Sequence, residues 1–173
     1  GTYVGDSLGN DRITELSIAP NSALYCFGRT GSYTNIATPG NYDVMKTARV
    51  DFKNHQLFYY ASPKNATEQY LYVTNWDTPT VSTLLSPEQQ KGTHEYTISP
   101  NGALAFHSFS NINNAPKSEW VSLPKHESMG VAGKVNAIAV NAQAKHAPEF
   151  FTVTTSEGVT MDAWMVKPTN FDP

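Results

Sequence analysis

Several residue types that can do chemistry occur in this chain, and none of them stands in a pattern that we interpret as a reactive site. Acyl transfer commonly uses a serine on a sharp Gly-x-Ser-x-Gly elbow with a histidine and an acid within reach. We predict that this chain contains no such elbow. The glycine-bearing segment Gly28–Ser32 lacks the Lys-Ser/Thr ending of a phosphate-binding loop, so we interpret it as a strand connection.

Histidines and carboxylates are the other candidates for acid–base or metal chemistry. No two histidines have the His-x-x-x-His spacing of a helical metal site, and we interpret each as a turn or surface residue: His55, His94, His107, His126 and His146. The acidic residues include no adjacent pair and are scattered: Glu15, Asp43, Asp51, Glu68, Asp77, Glu88 and Glu95 among them. A dyad of carboxylates distant in sequence stays open. The sequence therefore predicts no catalytic, substrate-binding or metal-binding residue and no cofactor.

Two aromatic clusters, Leu57–Tyr60 and Tyr70–Tyr72, allow two interpretations. They could form a stacking platform for a sugar or a peptide, or they could pack between sheets. We favour packing, because aromatic residues are common on strands whose faces are buried.

Composition narrows the class of protein. The chain has 173 residues, a net charge of -3 and only 16% charged residues, which argues against an electrostatic nucleic-acid binder. Its apolar runs reach about five residues, far below the roughly 20 of a membrane helix. Nine Tyr, eight Phe and three Trp, with eleven each of Gly and Pro, are typical of a β-rich domain.

A local pattern occurs three times along the chain: a β-branched strand end, a polar turn carrying Asn, and a new strand that opens on Leu. The three copies are Ile18–Leu24, Val50–Leu57 and Ile98–Leu104, and their turn asparagines lie 33 and 47 residues apart. These spacings bracket the roughly 40–50 residues of a propeller blade. Pro presets φ, and Asn or Gly tolerates the positive φ of a hairpin turn.

The strand pattern predicts a mainly all-β fold, a partial β-propeller of about three antiparallel blades. We predict a short helix at Gly133–Ala144 and a C-terminal hairpin in which Ser156–Gly158 forms the turn. The strand candidates are Ile13–Ile18, Ala23–Phe27, Tyr33–Ala37, Met45–Phe52, Gln56–Ser62, Gln69–Trp76, Thr80–Leu85, Thr93–Ser99, Ala103–Ser108 and Glu119–Leu123.

From about Asn41 onward the chain resembles bacterial dipeptidyl peptidase IV-like enzymes, serine exopeptidases of the prolyl oligopeptidase class; residues 1–40 fit the preceding blade more loosely. The resemblance rests on Leu57–Pro63, Glu68–Tyr72, Leu84–Pro87, Gly92–Gly102, His107–Pro116 and the terminal Glu149–Pro173. His94–Gly102 matches the family pattern His-x-Tyr-x-x-Ser-Pro-Asp/Asn-Gly, which lies shortly before the passage to the catalytic domain.

The resemblance implies a propeller followed by an α/β-hydrolase domain, in a parent that releases Xaa-Pro or Xaa-Ala dipeptides from peptide amino termini. The family nucleophile lies in Gly-Trp-Ser-Tyr-Gly-Gly, and its substrate-anchoring Glu pair lies in Asp-Trp-x-Tyr-Glu-Glu. Trp76-Asp77 is not followed by Tyr-Glu-Glu. We therefore carry no catalytic or substrate-anchoring residue of the family onto this chain.

We expect residues 1–148 to form propeller blades and residues 149–173 a hairpin leading toward a hydrolase domain. The predicted function is that of a non-catalytic propeller fragment, with the enzyme activity in the parent. The expected partners are the hydrolase domain, the remaining blades and, in the parent, a peptide substrate, with self-association through open sheet edges; nucleic acid and membrane are not expected. The resemblance implies a periplasmic or cell-envelope parent. The alternative is a stand-alone β-sheet module that binds peptide or glycan.

Overall fold

The computed structural model describes the backbone of residues 3–5, 11–18, 21–28, 33–112, 114–131, 148–168 and 170–171. The side chains it describes are those of residues 24, 36–112, 116–130, 148–168 and 170–171.

The first twelve strands form three four-stranded sheets, and each sheet is an antiparallel meander of consecutive strands. The first sheet contains β1 (Tyr3–Gly5), β2 (Asp11–Ile18), β3 (Asn21–Gly28) and β4 (Tyr33–Ile36). The second contains β5 (Val44–Asp51), β6 (Gln56–Ala61), β7 (Tyr70–Asn75) and β8 (Thr83–Leu84). The third contains β9 (Thr93–Ile98), β10 (Leu104–Asn111), β11 (Asn114–Ser122) and β12 (Glu127–Val131). Three such meanders confirm the predicted partial propeller of about three blades.

The strand predictions differ from the structure mainly at the outer strands of the blades. The predicted Thr80–Leu85 strand shortens to the two residues of β8, while β11 begins at Asn114, five residues before the predicted start at Glu119. Strands β1 and β12 were not predicted. Outer strands are difficult to recognise because only part of their surface is buried, so their apolar pattern is weak. The predicted helix at Gly133–Ala144 lies outside the described residues.

Strand β6 lies between two hydrophobic clusters, which explains its uninterrupted apolar sequence. Leu57 and Tyr59 point into the cluster shared with the first blade, and Phe58 and Tyr60 point into the cluster shared with the third. Neighbouring strand residues face opposite sides of a sheet, so burial of both sides requires apolar residues at every position.

Of the three predicted Asn-bearing turns, two are fully described, and only one of them reaches positive φ at a residue of the predicted type. Between β9 and β10, Gly102 has φ 69° and donates its N–H to the Ser99 carbonyl, as the turn chemistry predicts. Between β5 and β6, the left-handed residue is His55, with φ 53°, and not Asn54. Asn54 instead donates its backbone N–H and its side-chain amide to the Asp51 carboxylate. The prediction that asparagine takes the positive φ is wrong at this turn, because the hydrogen bonds to Asp51 hold Asn54 in another conformation.

The second and third blades are joined by backbone hydrogen bonds around Gln69. The Gln69 N–H donates to the Gly92 carbonyl (3.0 Å), and the His94 N–H donates to the Gln69 carbonyl (3.0 Å). The Gln69 side-chain amide adds bonds to the His94 carbonyl and to the Glu95 carboxylate. This parallel bridge sets how the two blades sit against each other.

A two-stranded hairpin follows, formed by β13 (Glu149–Thr154) and β14 (Thr160–Met165). Its turn includes Gly158, at φ 81°, which donates its N–H to the Thr155 carbonyl, so the predicted hairpin is confirmed. Across the pair, Phe150 lies opposite Trp164, and both side chains are more than half exposed. Within the described part of the chain, no helix is long and apolar enough to cross a bilayer.

Candidate functional site

One stretch of sequence does match Gly-x-Ser-x-Gly, at residues 5–9, with Ser7 at its centre. A nucleophile elbow lies between a strand and a helix. Here Gly5 is the last residue of β1 and pairs with Arg12 of β2, so the segment connects two antiparallel neighbours. Residues 6–10 themselves lie outside the described part of the chain. The topology on either side is not that of an elbow.

The histidines occupy two kinds of position. His55 and His126 lie in turns with φ 53° and 57°, as predicted. His94 and His107 are buried, with 0% and 1% of their surface exposed, so the turn-or-surface prediction is wrong for them. His146 lies outside the described residues.

The buried histidines lie on the face of the third blade that packs against the second. On β9 and β10 the side chains alternate, and the inward residues are His94 and Tyr96 on one strand and His107 and Phe109 on the other. His107 pairs with Tyr96 in the register, and their rings stack with centroids 4.5 Å apart. Alternation therefore places two imidazoles on this packed face, and hydrogen bonds must compensate for the burial of their nitrogens.

Hydrogen bonds along this face assign the tautomers of two rings. His94 Nε2 lies 2.8 Å from the carbonyl oxygen of Gln90, which can only accept, so the His94 proton is on Nε2. Its Nδ1 then accepts from His107 Nε2, 2.9 Å away. In the neutral His107 ring, Nδ1 is left with its lone pair, and it faces Glu119 Oε1 at 3.3 Å.

Burial keeps these rings neutral. It lowers the pKa of His107 to about 4, with smaller effects of Glu119, His126 and His94. Burial also lowers the pKa of His94 and of His126. For Glu119, burial pushes the pKa upward, but the hydrogen bond from Ser128 and the interaction with His107 leave it below its usual value. At neutral pH the site is therefore a carboxylate among uncharged imidazoles.

Two strands and one turn of the third blade bring potential metal ligands together. His107 is on β10, Glu119 is directly opposite it on β11, and His126 is in the turn between β11 and β12. One ligand atom from each of these residues lies within 4.8 Å of the others. The second carboxylate oxygen of Glu119 accepts from the Ser128 hydroxyl, and His126 Nε2 lies 2.8 Å from the Tyr96 hydroxyl.

The two aromatic clusters Leu57–Tyr60 and Tyr70–Tyr72 pack in the core, which is the interpretation that the sequence favoured. Phe58, Tyr59, Tyr60, Tyr70 and Leu71 are each at most 6% exposed. The Tyr59 ring stacks on Tyr72, and the Tyr70 ring packs against His94 at a tilt, so these residues offer no surface platform.

An open groove of about 750 Å³ lies between the blades and the hairpin. Phe150, Phe151 and Asp162 of the hairpin line one part of it, and Lys91 and Asn111 line another. The groove lies apart from the histidine cluster: none of His94, His107, Glu119 and His126 lines it.

Comparison with known proteins identifies the family. Residues 13–116 match the profile described as dipeptidyl peptidase IV (DPP IV) N-terminal region. This match covers most of the three described blades. The chain belongs to the DPP IV N-terminal region family. Its meander blades are thus those of a DPP IV propeller.

Relatives within this family are distant in sequence. The probable dipeptidyl peptidase 4 of Arthroderma benhamiae and the dipeptidyl peptidase 4 of Trichophyton equinum are each 19% identical to it over 175 residues. Each alignment covers 99% of this chain, and the chain spans 22% of the length of each relative.

Solved structures show the DPP IV propeller fold more clearly than the sequences do. The crystal structure of Porphyromonas gingivalis dipeptidyl peptidase 4 matches 98% of this chain and 24% of its own, with a TM-score of 0.82 at 20% identity. A putative dipeptidyl aminopeptidase IV from Bacteroides ovatus matches 94% of this chain and 25% of its own, with a TM-score of 0.72 at 14% identity. The fold is shared although four residues in five differ.

The cluster of His107, Glu119 and His126 was missed by sequence reasoning, which searched for ligands at helical spacing. On adjacent antiparallel strands, ligands are brought together by register instead. A signal was present: His94 and Tyr96 alternate on one strand, and His107 alternates with Phe109 on the next. When two neighbouring strands have the sequence pattern of a buried face and each carries a histidine on that face, a polar contact between the histidines is expected.

Proposed function

We propose that these blades are the non-catalytic propeller part of a DPP IV-like serine exopeptidase, which releases Xaa-Pro or Xaa-Ala dipeptides from the amino termini of peptides. The observation that carries the proposal is the family match over residues 13–116, on a chain folded as consecutive four-stranded meanders. The printed names of the relatives, dipeptidyl peptidases, support the same activity for the parent. The propeller limits access to the active site, so only a peptide end reaches it.

We further propose a division at residue 148, with propeller blades before it and a hairpin of the hydrolase side after it. Glu149 is the first residue of β13, which pairs only with β14 among the described strands. All six residues of β13 are exposed. A hairpin with apolar side chains on both faces needs a covering surface. The α/β-hydrolase domain of the parent supplies that cover.

The predicted absence of a catalytic nucleophile is tested by covalent labelling of the full-length natural protein. We expect it to hydrolyse a Gly-Pro chromogenic amide and to react with a fluorophosphonate, which labels activated serines. Mass spectrometry should place the label outside residues 1–173. The variant Ser7→Ala, which removes the serine of the Gly-x-Ser-x-Gly match, should keep the full rate and the full label.

A label on Ser7, or loss of turnover in the Ser7→Ala variant, would contradict the proposal. Failure of the full-length protein to cleave the Gly-Pro amide, with retained binding of a peptide or a glycan, would favour the stand-alone module. The burial of Tyr59, Tyr60 and Tyr70 weighs against that module, because it removes both tyrosine clusters as a stacking platform. The exposed large aromatics of the described strands are instead Trp120, Phe150, Phe151 and Trp164.

Residues 1–173 produced alone are expected to self-associate. Phe150 and Trp164 form an exposed cross-strand pair, with 55% and 65% of their surface accessible. In sedimentation velocity, the weight-average mass should rise with concentration. The double variant Phe150→Thr/Trp164→Thr keeps strand propensity and should reduce this association, while Val81→Thr, at a position 72% exposed outside the hairpin, should not. A clean monomer at high concentration would count against the proposal.

A further inference from the structure

His107 Nδ1 and Glu119 Oε1 lie 3.3 Å apart. Neither atom carries a hydrogen when the His107 ring is neutral and Glu119 is ionised. The chain of bonds from the Gln90 carbonyl through His94 assigns the only His107 proton to the opposite nitrogen. A lone pair directed at a carboxylate oxygen is repulsive unless a cation lies between them. Either an additional proton or a metal ion can fill that role.

The surroundings favour a metal ion over a proton. A proton would join only His107 and Glu119, at a ring that is 1% exposed, and it would give His126 no part in the cluster. A metal ion, in contrast, gains a third ligand: His126, whose ring lies edge-on to His107 with centroids 4.7 Å apart. Two neutral imidazoles and one carboxylate are a common ligand set for Zn²⁺ and similar divalent transition ions.

We propose that His107, Glu119 and His126 form a divalent transition-metal site, with Zn²⁺ as its best-fitting ion, that cross-links β10, β11 and the turn before β12. The distances fit this assignment. Two ligands about 2.1 Å from a tetrahedral zinc ion lie roughly 3.4 Å apart, and the His107–Glu119 separation is 3.3 Å. The three ligand atoms lie within 4.8 Å of one another, so a closure of at most about 1.4 Å completes the set.

The residues around the three ligands hold them in orientation. His107 is fixed through its far nitrogen by His94, Glu119 accepts from Ser128, and His126 is bonded to the Tyr96 hydroxyl. For His107 and Glu119 these bonds use the polar atom that does not face the other ligand, as is typical of metal sites. Three protein ligands leave a coordination position for water. The site joins three consecutive chain segments of one blade, so its first effect is on the stability of that blade.

Direct metal binding tests the proposal on the full-length natural protein, first freed of metal with a chelator. Competition with a chromophoric zinc indicator should show that each chain binds one Zn²⁺ ion. Co²⁺ bound in its place should give the visible absorption of a low-symmetry, imidazole-containing site. Mg²⁺ and Ca²⁺, which prefer all-oxygen sites, should not compete. Zn²⁺ should also raise the melting temperature, because it binds only the folded blade.

The chain offers a matched pair of variants. His126 and His55 both lie in turns at φ near 55°, a conformation that asparagine tolerates. Loss of an outer partner alone changes metal affinity about 10- to 100-fold, so His126→Asn is expected to weaken Zn²⁺ binding by about 100-fold or more. His55→Asn should leave the affinity within about twofold. Glu119→Gln, which keeps the size and the bond from Ser128, should act like His126→Asn.

Three results would overturn the proposal: no stoichiometric Zn²⁺ binding by the parent protein, equal affinity in the His126→Asn and His55→Asn variants, or binding that Glu119→Gln leaves unchanged. Any of them would show that His107, Glu119 and His126 do not form a metal site. These readouts do not depend on peptide hydrolysis. The metal site and the proposed peptidase role of the parent can therefore fail separately.

Discussion

Replacing Gly92 with alanine is expected to disrupt the junction between the second and third blades, at a cost of roughly 3 kcal/mol or more in stability. Gly92 has φ +153°, which side-chain-bearing residues rarely adopt. An added Cβ would lie 2.5 Å from the Ser110 carbonyl oxygen and 2.8 Å from the Asn111 Cβ. The backbone would have to move, and the Gly92 carbonyl would be displaced from the Gln69 N–H that donates to it. Hydrogen–deuterium exchange of the full-length protein should show faster exchange at Gln69 and His94.

Gly130 provides the control for this substitution. Its φ is +132°, but an added Cβ would meet no atom within 4 Å. Gly130→Ala therefore introduces backbone strain without a clash, and we expect a cost of about 1–2 kcal/mol. If the two variants lose the same stability, or if exchange at Gln69 does not change in Gly92→Ala, the close backbone contact is not what requires glycine at position 92.

Truncating Leu71 to alanine is expected to lower the free energy of unfolding by about 2–5 kcal/mol. Leu71 is fully buried in the cluster between the second and third blades, among Phe58, Tyr60, Tyr96 and Val121. Its backbone is also held, because the N–H donates to Ser86 Oγ and the carbonyl accepts from Leu85. The surrounding residues therefore cannot collapse readily into the space left behind. Urea unfolding followed by circular dichroism measures the loss.

Leu104→Ala serves as the matched change, since the same atoms are removed from a strand position that is 41% exposed. We expect a loss below about 1 kcal/mol there. Similar losses for the two variants would contradict the assignment of Leu71 to a tightly packed interface between blades.

The central strands of each blade were predictable because their burial requires an apolar sequence. The run Leu57–Ala61 is apolar at every position since both faces of β6 are covered, and the pattern alone indicated a buried strand. The short outer strand β8 carries too little apolar surface to show such a pattern. The position of the β5–β6 turn was predicted correctly, but the residue with positive φ was not. That residue is His55, because the Asp51 carboxylate accepts hydrogen bonds from the backbone N–H groups of Lys53 and Asn54.

The candidate metal site could not be derived from spacing in the sequence. His107 and Glu119 are 12 residues apart, and His126 follows 7 residues later, which matches no helical ligand motif. They meet because β10 and β11 pair with His107 directly opposite Glu119, and because the next turn returns the chain to the same place. A shift of one residue in that register would turn Glu119 to the other face of the sheet.

The sequence by itself determined the fold class and the family, because alternating strands, their turns and the pattern His94–Gly102 are local features that depend on neighbouring residues. Only the tertiary structure decided which polar residues meet. The register of β9, β10 and β11, and the packing of the third blade against the second, buried two histidines beside a carboxylate. Side-chain chemistry at such a place depends on residues that are distant along the chain, so it becomes visible only once the strands are paired.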